Sequence, residues 1–165
     1  MLDKSNKELR KTFGRFATGV AVITFENIKG QKLGITINSF TSLSLKPPMI
    51  LWCLDKSSDL YEEILNINHY TVSFLSELQE EIAHSLAQKN DHSLDSIKHK
   101  EVSNGLIIEG CIGWVSCTNN KTIDSGDHSI LVADVLDCKE NEGKPLIFWG
   151  SEYNNLISSY SFDLN

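Results

Sequence analysis

The stretch of sequence that says most about this chain is Gly34-Ile35-Thr36-Ile37-Asn38-Ser39-Phe40-Thr41-Ser42-Leu43-Ser44-Leu45-Lys46-Pro47-Pro48. Six of its side chains carry a hydroxyl or amide group, namely Thr36, Asn38, Ser39, Thr41, Ser42 and Ser44. Apolar residues are interleaved with them, and a strand-like apolar run, 49–54, follows. Because a polar group buried without a partner costs about 1–3 kcal/mol, so many donors and acceptors on one scaffold indicate a polar, polycyclic or polyol ligand. A Ser/Thr-rich edge strand that ends in a Pro-Pro turn explains the pattern equally well.

The size and charge of the chain narrow the class of protein. Its length is typical of one domain, and we expect a single domain over residues 1–165. The net charge of −7 disfavours a nucleic-acid partner, because most of the surface would repel phosphates. The N-terminal residues lack the apolar core of a signal peptide, and no apolar run approaches the roughly 18 residues of a membrane span. These features predict a cytoplasmic protein.

Cysteine and histidine usage gives no sign of a metal site. The four cysteines are Cys53, Cys111, Cys117 and Cys138, and all lie in apolar, strand-like runs without a Cys-x-x-Cys motif. We expect buried free thiols, since cysteine behaves as a small hydrophobic residue in cores. None of the five histidines has zinc-ligand spacing to another histidine or a cysteine. We therefore expect no bound metal and a reducing compartment.

Apolar periodicity predicts three helices. A helix over 5–17 would have on one face the residues Leu9, Phe13, Phe16 and Ala17. Two further helices are expected over 57–66 and 76–89. Each contains a pair with capping-box spacing, residue 59 with 62 and residue 76 with 79.

Strand-like segments dominate the rest of the chain. They are 20–25, 33–40, 49–55, 70–75, 106–118, 128–138 and 146–149. The polar segment 90–104 is expected to be a surface loop, a mobile lid or a short helix, 119–126 a turn, and 153–159 a terminal helical turn. Because hairpin-like turns join most of the strands, the pattern predicts a mainly β fold with peripheral helices, arranged as a closed or nearly closed antiparallel barrel.

Several segments, taken in order, resemble the flavin reductase-like family. Besides the opening stretch they are Phe16-Ala17-Thr18-Gly19-Val20-Ala21-Val22-Ile23-Thr24, Cys53-Leu54-Asp55-Lys56-Ser57-Ser58, Gly126-Asp127-His128, Gly143-Lys144-Pro145-Leu146 and Gly150-Ser151-Glu152-Tyr153. The resemblance covers about residues 9–156 and implies an antiparallel split β-barrel that binds FMN. The chain departs from the family at Leu86-Ala87, where Phe-Ala is common, and in the more polar segment 114–122.

The resemblance implies a cofactor role for two segments. In the family one strand and turn hold the isoalloxazine ring and ribityl chain, and the matching positions are Thr36, Asn38, Ser39, Ser42 and Ser44. A second turn lies near the flavin phosphate, and its positions here are Asp55, Lys56, Ser57 and Ser58. A helix that starts there would offer free N–H groups to a phosphate. The plainer alternative is that Ser57 or Ser58 caps this helix and that Lys56 is solvated.

The resemblance also implies that His128 and Tyr153 serve the nicotinamide half of a flavin reaction, with His128 as the candidate catalytic residue. The hydride passes directly from nicotinamide to flavin, so no protein nucleophile is required. His128 would orient the dinucleotide or place positive charge near its phosphates; the alternative is a structural residue at a strand end. Without a Gly-x-Gly-x-x-Gly motif, the nicotinamide is expected on a shallow surface over the flavin.

The implied function is an NAD(P)H:flavin oxidoreductase that reduces FMN or FAD with NADH or NADPH and supplies reduced flavin to a partner monooxygenase. A non-catalytic FMN-binding electron-transfer protein is the alternative from another class, and an oxidoreductase that uses bound flavin to reduce another small molecule is a third. The resemblance further implies a homodimer. Trp114, Phe148 and Trp149, which we expect at the surface, fit such an interface because aromatic residues are enriched there.

Overall fold

Three helices and twelve strands form within residues 5–156, the part of the chain that this computed structural model describes. The helices are α1 (Asn6–Phe13), α2 (Tyr61–Asn66) and α3 (Glu80–Ser85). The strands are β1 (Thr18–Gly19), β2 (Ala21–Glu26), β3 (Lys32–Ile37), β4 (Thr41–Leu45), β5 (Pro48–Asp55), β6 (His69–Phe74), β7 (His99–Val102), β8 (Gly105–Ile108), β9 (Gly113–Ser125), β10 (His128–Glu140), β11 (Leu146–Trp149) and β12 (Glu152–Asn155). The prediction of a mainly β fold is confirmed. No helix in this part of the chain has the length and apolar character needed to cross a membrane.

Seven strands form one antiparallel sheet in the order β3-β2-β6-β9-β10-β5-β4. Its two edge strands are consecutive in sequence and are joined only by Asn38, Ser39 and Phe40. Such a link reaches at most about 14 Å, whereas the edges of a flat seven-stranded sheet would lie about 29 Å apart. The sheet must therefore curl into a barrel. No ladder joins β3 to β4 within residues 5–156, so the barrel is split between them, as predicted.

Strand β2 is buried on both faces because a hydrophobic core lies on each side of it. Residues 21, 23 and 25 belong to the barrel core, and residues 20 and 22 belong to a second core outside the barrel. In the barrel core, the indole N–H of Trp52 donates to the Tyr70 hydroxyl at 2.9 Å. The second core includes the fully buried Leu86 and Leu94. This outer layer packs the chain that follows α3 against the edge strand β3.

Helix α1 is shorter than predicted and lies on the surface. It ends at Phe13 rather than Ala17. Its expected apolar face is not buried, since the side chains of Phe13 and Phe16 are 69% and 78% exposed. A capping box between Ser5 and Glu8 holds its first turn. The helix is thus stabilised locally rather than by a core.

The other two helices also begin later than predicted. Helix α2 starts at Tyr61 without a side-chain cap, because the Asp59 carboxylate accepts hydrogen bonds from the Asn90 backbone and from His92 instead. Helix α3 covers only 80–85. Of the capping box expected there, one half forms: the side-chain oxygen of Gln79 accepts from the backbone N–H of Ser76.

Strand boundaries differ from the prediction on the C-terminal side. The predicted strand 106–118 is two strands, and β8 pairs with β7, so that the polar segment 90–104 ends in a small hairpin. The predicted turn 119–126 is wrong, because β9 pairs with β10 as far as Ser125. The turn that remains contains Gly126, whose φ of +62° suits glycine. Residues 152–155 form a strand rather than a helical turn; residues 157–159 of that prediction lie outside the described residues.

Candidate functional site

Two turns, 55–58 and 126–128, meet at one end of the barrel, and we call this place the corner. The strand pairing sets Asp55, at the end of β5, opposite His128, at the start of β10. The Lys56 backbone N–H donates to the carbonyl oxygen of residue 127 at 3.0 Å, and its ammonium donates to that of residue 126 at 3.2 Å. The corner therefore brings together predicted phosphate and nicotinamide residues that lie some seventy positions apart in the sequence.

The turn 55–58 is held by its own carboxylate. An Asp55 carboxylate oxygen accepts from the Ser57 backbone N–H at 2.7 Å. Hydrogen bonds from Ser57 hold the pKa of Asp55 below its usual value, with smaller contributions from the charges of His128 and Lys89. Asp55 is thus an ionised carboxylate that is committed to the turn. It orients Ser57, whose side chain is exposed.

The helix start predicted at this turn lies further along the chain. Because α2 begins at Tyr61, Ser57 and Ser58 precede the helix and do not cap it. The Ser58 hydroxyl accepts instead from the backbone N–H of Leu60 at 3.3 Å. The Lys56 ammonium, 3.6 Å from the Asp124 carboxylate, is solvated in part. Any anion bound here would meet a turn and a lysine rather than a helix N-terminus.

His128 lies at the surface of the corner with its side chain 42% exposed. Its Nδ1 is 2.8 Å from the Asp127 carboxylate. The hydrogen bond and the charge of His128 hold the pKa of Asp127 below its usual value. Within residues 5–156, Nε2 makes no hydrogen bond. The ring is therefore fixed through one nitrogen and open at the other, which suits contact with a second molecule.

Three of the polar side chains in the opening stretch have partners inside the protein. The Thr36 hydroxyl donates to the Ala83 carbonyl oxygen at 2.9 Å, so it ties β3 to α3. The Ser39 hydroxyl accepts from the Cys53 N–H at 3.0 Å and donates to the Cys53 carbonyl oxygen at 3.2 Å. These two bonds fasten residues 38–40, which join the two sheet edges, to β5. The Ser44 hydroxyl accepts from the Lys46 N–H at 3.2 Å.

The other three polar side chains, Asn38, Thr41 and Ser42, are exposed and form no side-chain hydrogen bond within residues 5–156. We call residues 38–44 the polar strip. Ser44 pairs with Met49 at one end of β5, and Ser39 binds the backbone of Cys53 near the other end. Counted along β5 from Met49 to Cys53 at about 3.4 Å per residue, the strip follows the strand for about 14 Å. Cys53 precedes Asp55 of the corner by two residues, so the strip ends beside the corner.

Tyr153 is not joined to His128 by any hydrogen bond or ring contact within residues 5–156. It lies on β12 of a separate three-stranded sheet, β1-β11-β12. Its ring packs edge-on against Phe148 with centroids 5.4 Å apart. Burial, with the charge of Glu80, raises the pKa of its hydroxyl. Tyr153 belongs to the margin of the second core.

One hydrogen-bond chain beside the corner has no signal in the sequence. The Ser129 hydroxyl donates to the Asp124 carboxylate at 2.8 Å and bonds to the Tyr61 hydroxyl at 2.7 Å. It anchors helix α2 to the hairpin of β9 and β10. Tyr61 is 68 residues away from Ser129, and a lone serine in an apolar strand gives no indication of such a partner.

Two predictions about surface exposure are wrong in part. Trp114, expected at the surface, is only 7% exposed because it packs with Ile107 and Cys111, whereas Trp149 is exposed. Among the cysteines, Cys111 and Cys117 are buried, but Cys53 is half-buried and Cys138 is exposed. Residue 138 lies on the outer part of β10, beyond the region that the cores cover. All four are free thiols.

The comparisons with known proteins agree with the fold. The model of the flavin reductase like domain family matches residues 13–156, and the chain belongs to that family. FMN reductase (NADH) SmoA of Agrobacterium fabrum is 31% identical over 91% of this chain and 86% of its own length. The reductase component of flavin-dependent trigonelline monooxygenase of Acinetobacter baylyi is 36% identical over 81% of this chain.

The solved structure of the flavin reductase PheA2 in its native state superimposes with a TM-score of 0.87 at 30% identity. The match covers 94% of this chain and 100% of that one. The split-barrel fold is thus shared along nearly the whole chain. This chain spans only 44% of the length of two curated relatives that it matches at 36% identity.

Proposed function

We propose that the chain is an NAD(P)H-dependent flavin reductase. It transfers a hydride from NADH or NADPH to FMN or FAD and supplies reduced flavin to a partner monooxygenase. The observation that carries this proposal is the polar strip, whose free amide and hydroxyl groups lead directly to the corner with Lys56 and His128. Family membership supports it, as do relatives described as an NADH-dependent FMN reductase and as a monooxygenase reductase component.

The residues of the strip and corner fit a flavin nucleotide. A flavin offers neutral donors and acceptors along its ring and ribityl chain, and Asn38 and Ser42 present free groups of the same kind. Thr36, Ser39 and Ser44 are engaged with the backbone and hold the shape of the strip. The flavin phosphate would be held by Lys56, Ser57 and Ser58, and Asp55 orients Ser57 toward this task.

The chain's contribution to the reaction is binding and orientation. Bound flavin supplies the electron acceptor, and the nicotinamide supplies the hydride. His128, tied through Nδ1 to Asp127, offers Nε2 to the dinucleotide and orients it. Correct stacking of the two rings is the main source of the rate acceleration, because a near-attack geometry removes most of the entropic part of the barrier. Tyr153 as a second nicotinamide residue stays a prediction.

A homodimer is part of this proposal. Edge strand β4 exposes Leu43 and Leu45, which are 47% and 88% accessible. An apolar, unpaired edge strand is a liability unless something covers it. A second copy over β4 would cover these side chains and would also enclose the polar strip. A cytoplasmic location, where NAD(P)H is available and the free thiols stay reduced, fits the same function.

The proposed function is tested by NADH and NADPH oxidation with and without added FMN or FAD. We expect oxidation that depends on added flavin. In Asn38→Ala with Ser42→Ala, two free groups of the strip are lost, and the Kd for FMN should rise about tenfold. The control is Asn68→Ala with Ser103→Ala, two exposed residues away from the strip. Flavin that is retained without NAD(P)H turnover would instead indicate the electron-transfer protein.

The role of His128 is tested separately with His128→Ala. If the ring orients the dinucleotide, the rate of flavin reduction should fall about tenfold or more, or the KM for NADH should rise, while the Kd for FMN stays near wild type. Stopped-flow measurements give the rate of flavin reduction, and a melting curve on the same sample gives the stability of the fold. A lower melting temperature with unchanged reduction kinetics would assign His128 to the turn alone.

A further inference from the structure

His92 is a buried histidine that bridges the two arms of the proposed flavin site. Its side chain is only 8% exposed. Its Nδ1 lies 3.1 Å from the carbonyl oxygen of Gly34, and its Nε2 lies 2.9 Å from a carboxylate oxygen of Asp59. Gly34 precedes Thr36 by two residues on β3, and Asp59 follows Ser58 directly. The ring therefore connects β3, which leads into the strip, with the end of the phosphate turn.

Both partners of the ring are acceptors, a backbone carbonyl on one side and the Asp59 carboxylate on the other. The ring therefore bridges two fixed groups. Burial alone would raise the pKa of Asp59, but hydrogen bonds from His92 and from the Asn90 backbone outweigh it and hold that pKa below its usual value. The Asn90 N–H donates to Asp59 at 2.6 Å.

The segment that carries His92 is fastened to the edge of the barrel. The Gly34 N–H donates to the His92 carbonyl oxygen at 2.9 Å, and the Leu94 N–H donates to the Lys32 carbonyl oxygen at 3.0 Å. Leu94 is fully buried in the second core. Because the histidine backbone moves with β3, its ring sets the distance from β3 to Asp59. Asp59 in turn fixes the end of the turn 55–58.

We propose that the His92–Asp59 ion pair positions the phosphate turn relative to the polar strip and thereby sets the affinity for flavin. His92 acts through Asp59 and touches neither substrate. The inference rests on the proposed flavin-binding function. Breaking the pair leaves a buried charge without its partner, which costs more than exchanging both members for a neutral pair.

The test is a double-mutant cycle with His92→Gln and Asp59→Asn. We expect each single variant to raise the Kd for FMN about five- to tenfold, and the double variant to recover to within about threefold of wild type. The KM for NADH should not change. The controls are His84→Gln and Asp95→Asn, whose exposed side chains form no hydrogen bond or ion pair within residues 5–156. FMN fluorescence titration and a melting curve on each sample supply the readout.

The outcomes separate this inference from the proposed function. Wild-type protein that neither binds nor reduces flavin would overturn both. Wild-type protein that binds flavin, with single variants that melt at lower temperature yet bind FMN as tightly in their folded fraction, would overturn only the positioning role. If His92→Gln does not fold, Asp59→Asn tests the same pair from its more exposed partner.

Discussion

At the β3 edge of the barrel, the segment 92–94 supplies backbone hydrogen bonds that an edge strand otherwise lacks, and His92 adds a charged link. At the β4 edge, β5 is the one segment of the described chain that supplies backbone hydrogen bonds to the strand. That edge exposes Leu43 and Leu45. One edge is thus completed within the chain, whereas the other stays open within residues 5–156, and it is there that we propose a second copy binds. The polar strip, where we place the flavin, lies on this open edge.

Removing one leucine from each edge tests this difference directly. Leu94→Ala should lower the free energy of unfolding by about 2–5 kcal/mol, because Leu94 is fully buried beneath the covered edge. Leu45→Ala, at 88% exposure on the open edge, is the matched variant and should change the stability of the single chain by less than about 0.5 kcal/mol. Urea unfolding gives both values. Equal losses of stability in the two variants would contradict the difference between the edges.

The covered edge can also be disturbed at its point of closest packing. A Cβ at Gly34 would lie 3.1 Å from side-chain atoms of Leu86 and Leu94 and 3.2 Å from Val22. Gly34→Ala should therefore cost about 1–3 kcal/mol through overpacking. Gly19→Ala is the control, since nothing lies within 4 Å of its added Cβ. Wild-type stability of Gly34→Ala in thermal unfolding would contradict the close packing of the segment 92–94.

On the open edge, a charge should prevent self-association without unfolding the chain. Leu45→Lys places a lysine on β4, and we expect at least about a tenfold weaker dimer, or about 1.4 kcal/mol. Ile28→Lys, at a position 96% exposed in the β2–β3 turn, serves as the control and should leave association unchanged. Sedimentation at several protein concentrations measures the strength of this self-association. A wild-type protein that sediments as an 18.5 kDa monomer would refute the dimer itself.

The smallest effect is expected in the pH dependence of the charged link. The pKa of Asp59 is lower in the folded protein than its ordinary value, so its carboxylate stabilises the fold fully above that ordinary value, about 3.9. The contribution is lost as the pH falls through the folded pKa. The difference in melting temperature between wild type and Asp59→Asn should thus be largest near neutral pH and shrink below about pH 4. A constant difference across this range would contradict the ion pair.

Local patterns in the sequence predicted most of the strands, and the resemblance of its ordered motifs predicted the split barrel and the family. The β-branched and aromatic residues of 20–25 predict a strand, and the ordered motifs from Phe16 to Tyr153 indicate the barrel. The density of polar groups in 36–44 also indicated the surface on which we propose the flavin site. It could not separate Ser39, which bonds to Cys53, from Asn38, which has no such bond.

Which side chains meet depends on the tertiary structure. Thr36 finds its acceptor 47 residues away at Ala83, and His92 finds Asp59 and Gly34 at separations of 33 and 58. In the sequence His92 is one histidine in a polar segment without metal-ligand spacing, and nothing nearby predicts its partners. Strand pairing and the second core bring two acceptors to its ring. Local pattern sets which face of a strand a residue occupies, whereas the partner of a side chain depends on how distant segments pack.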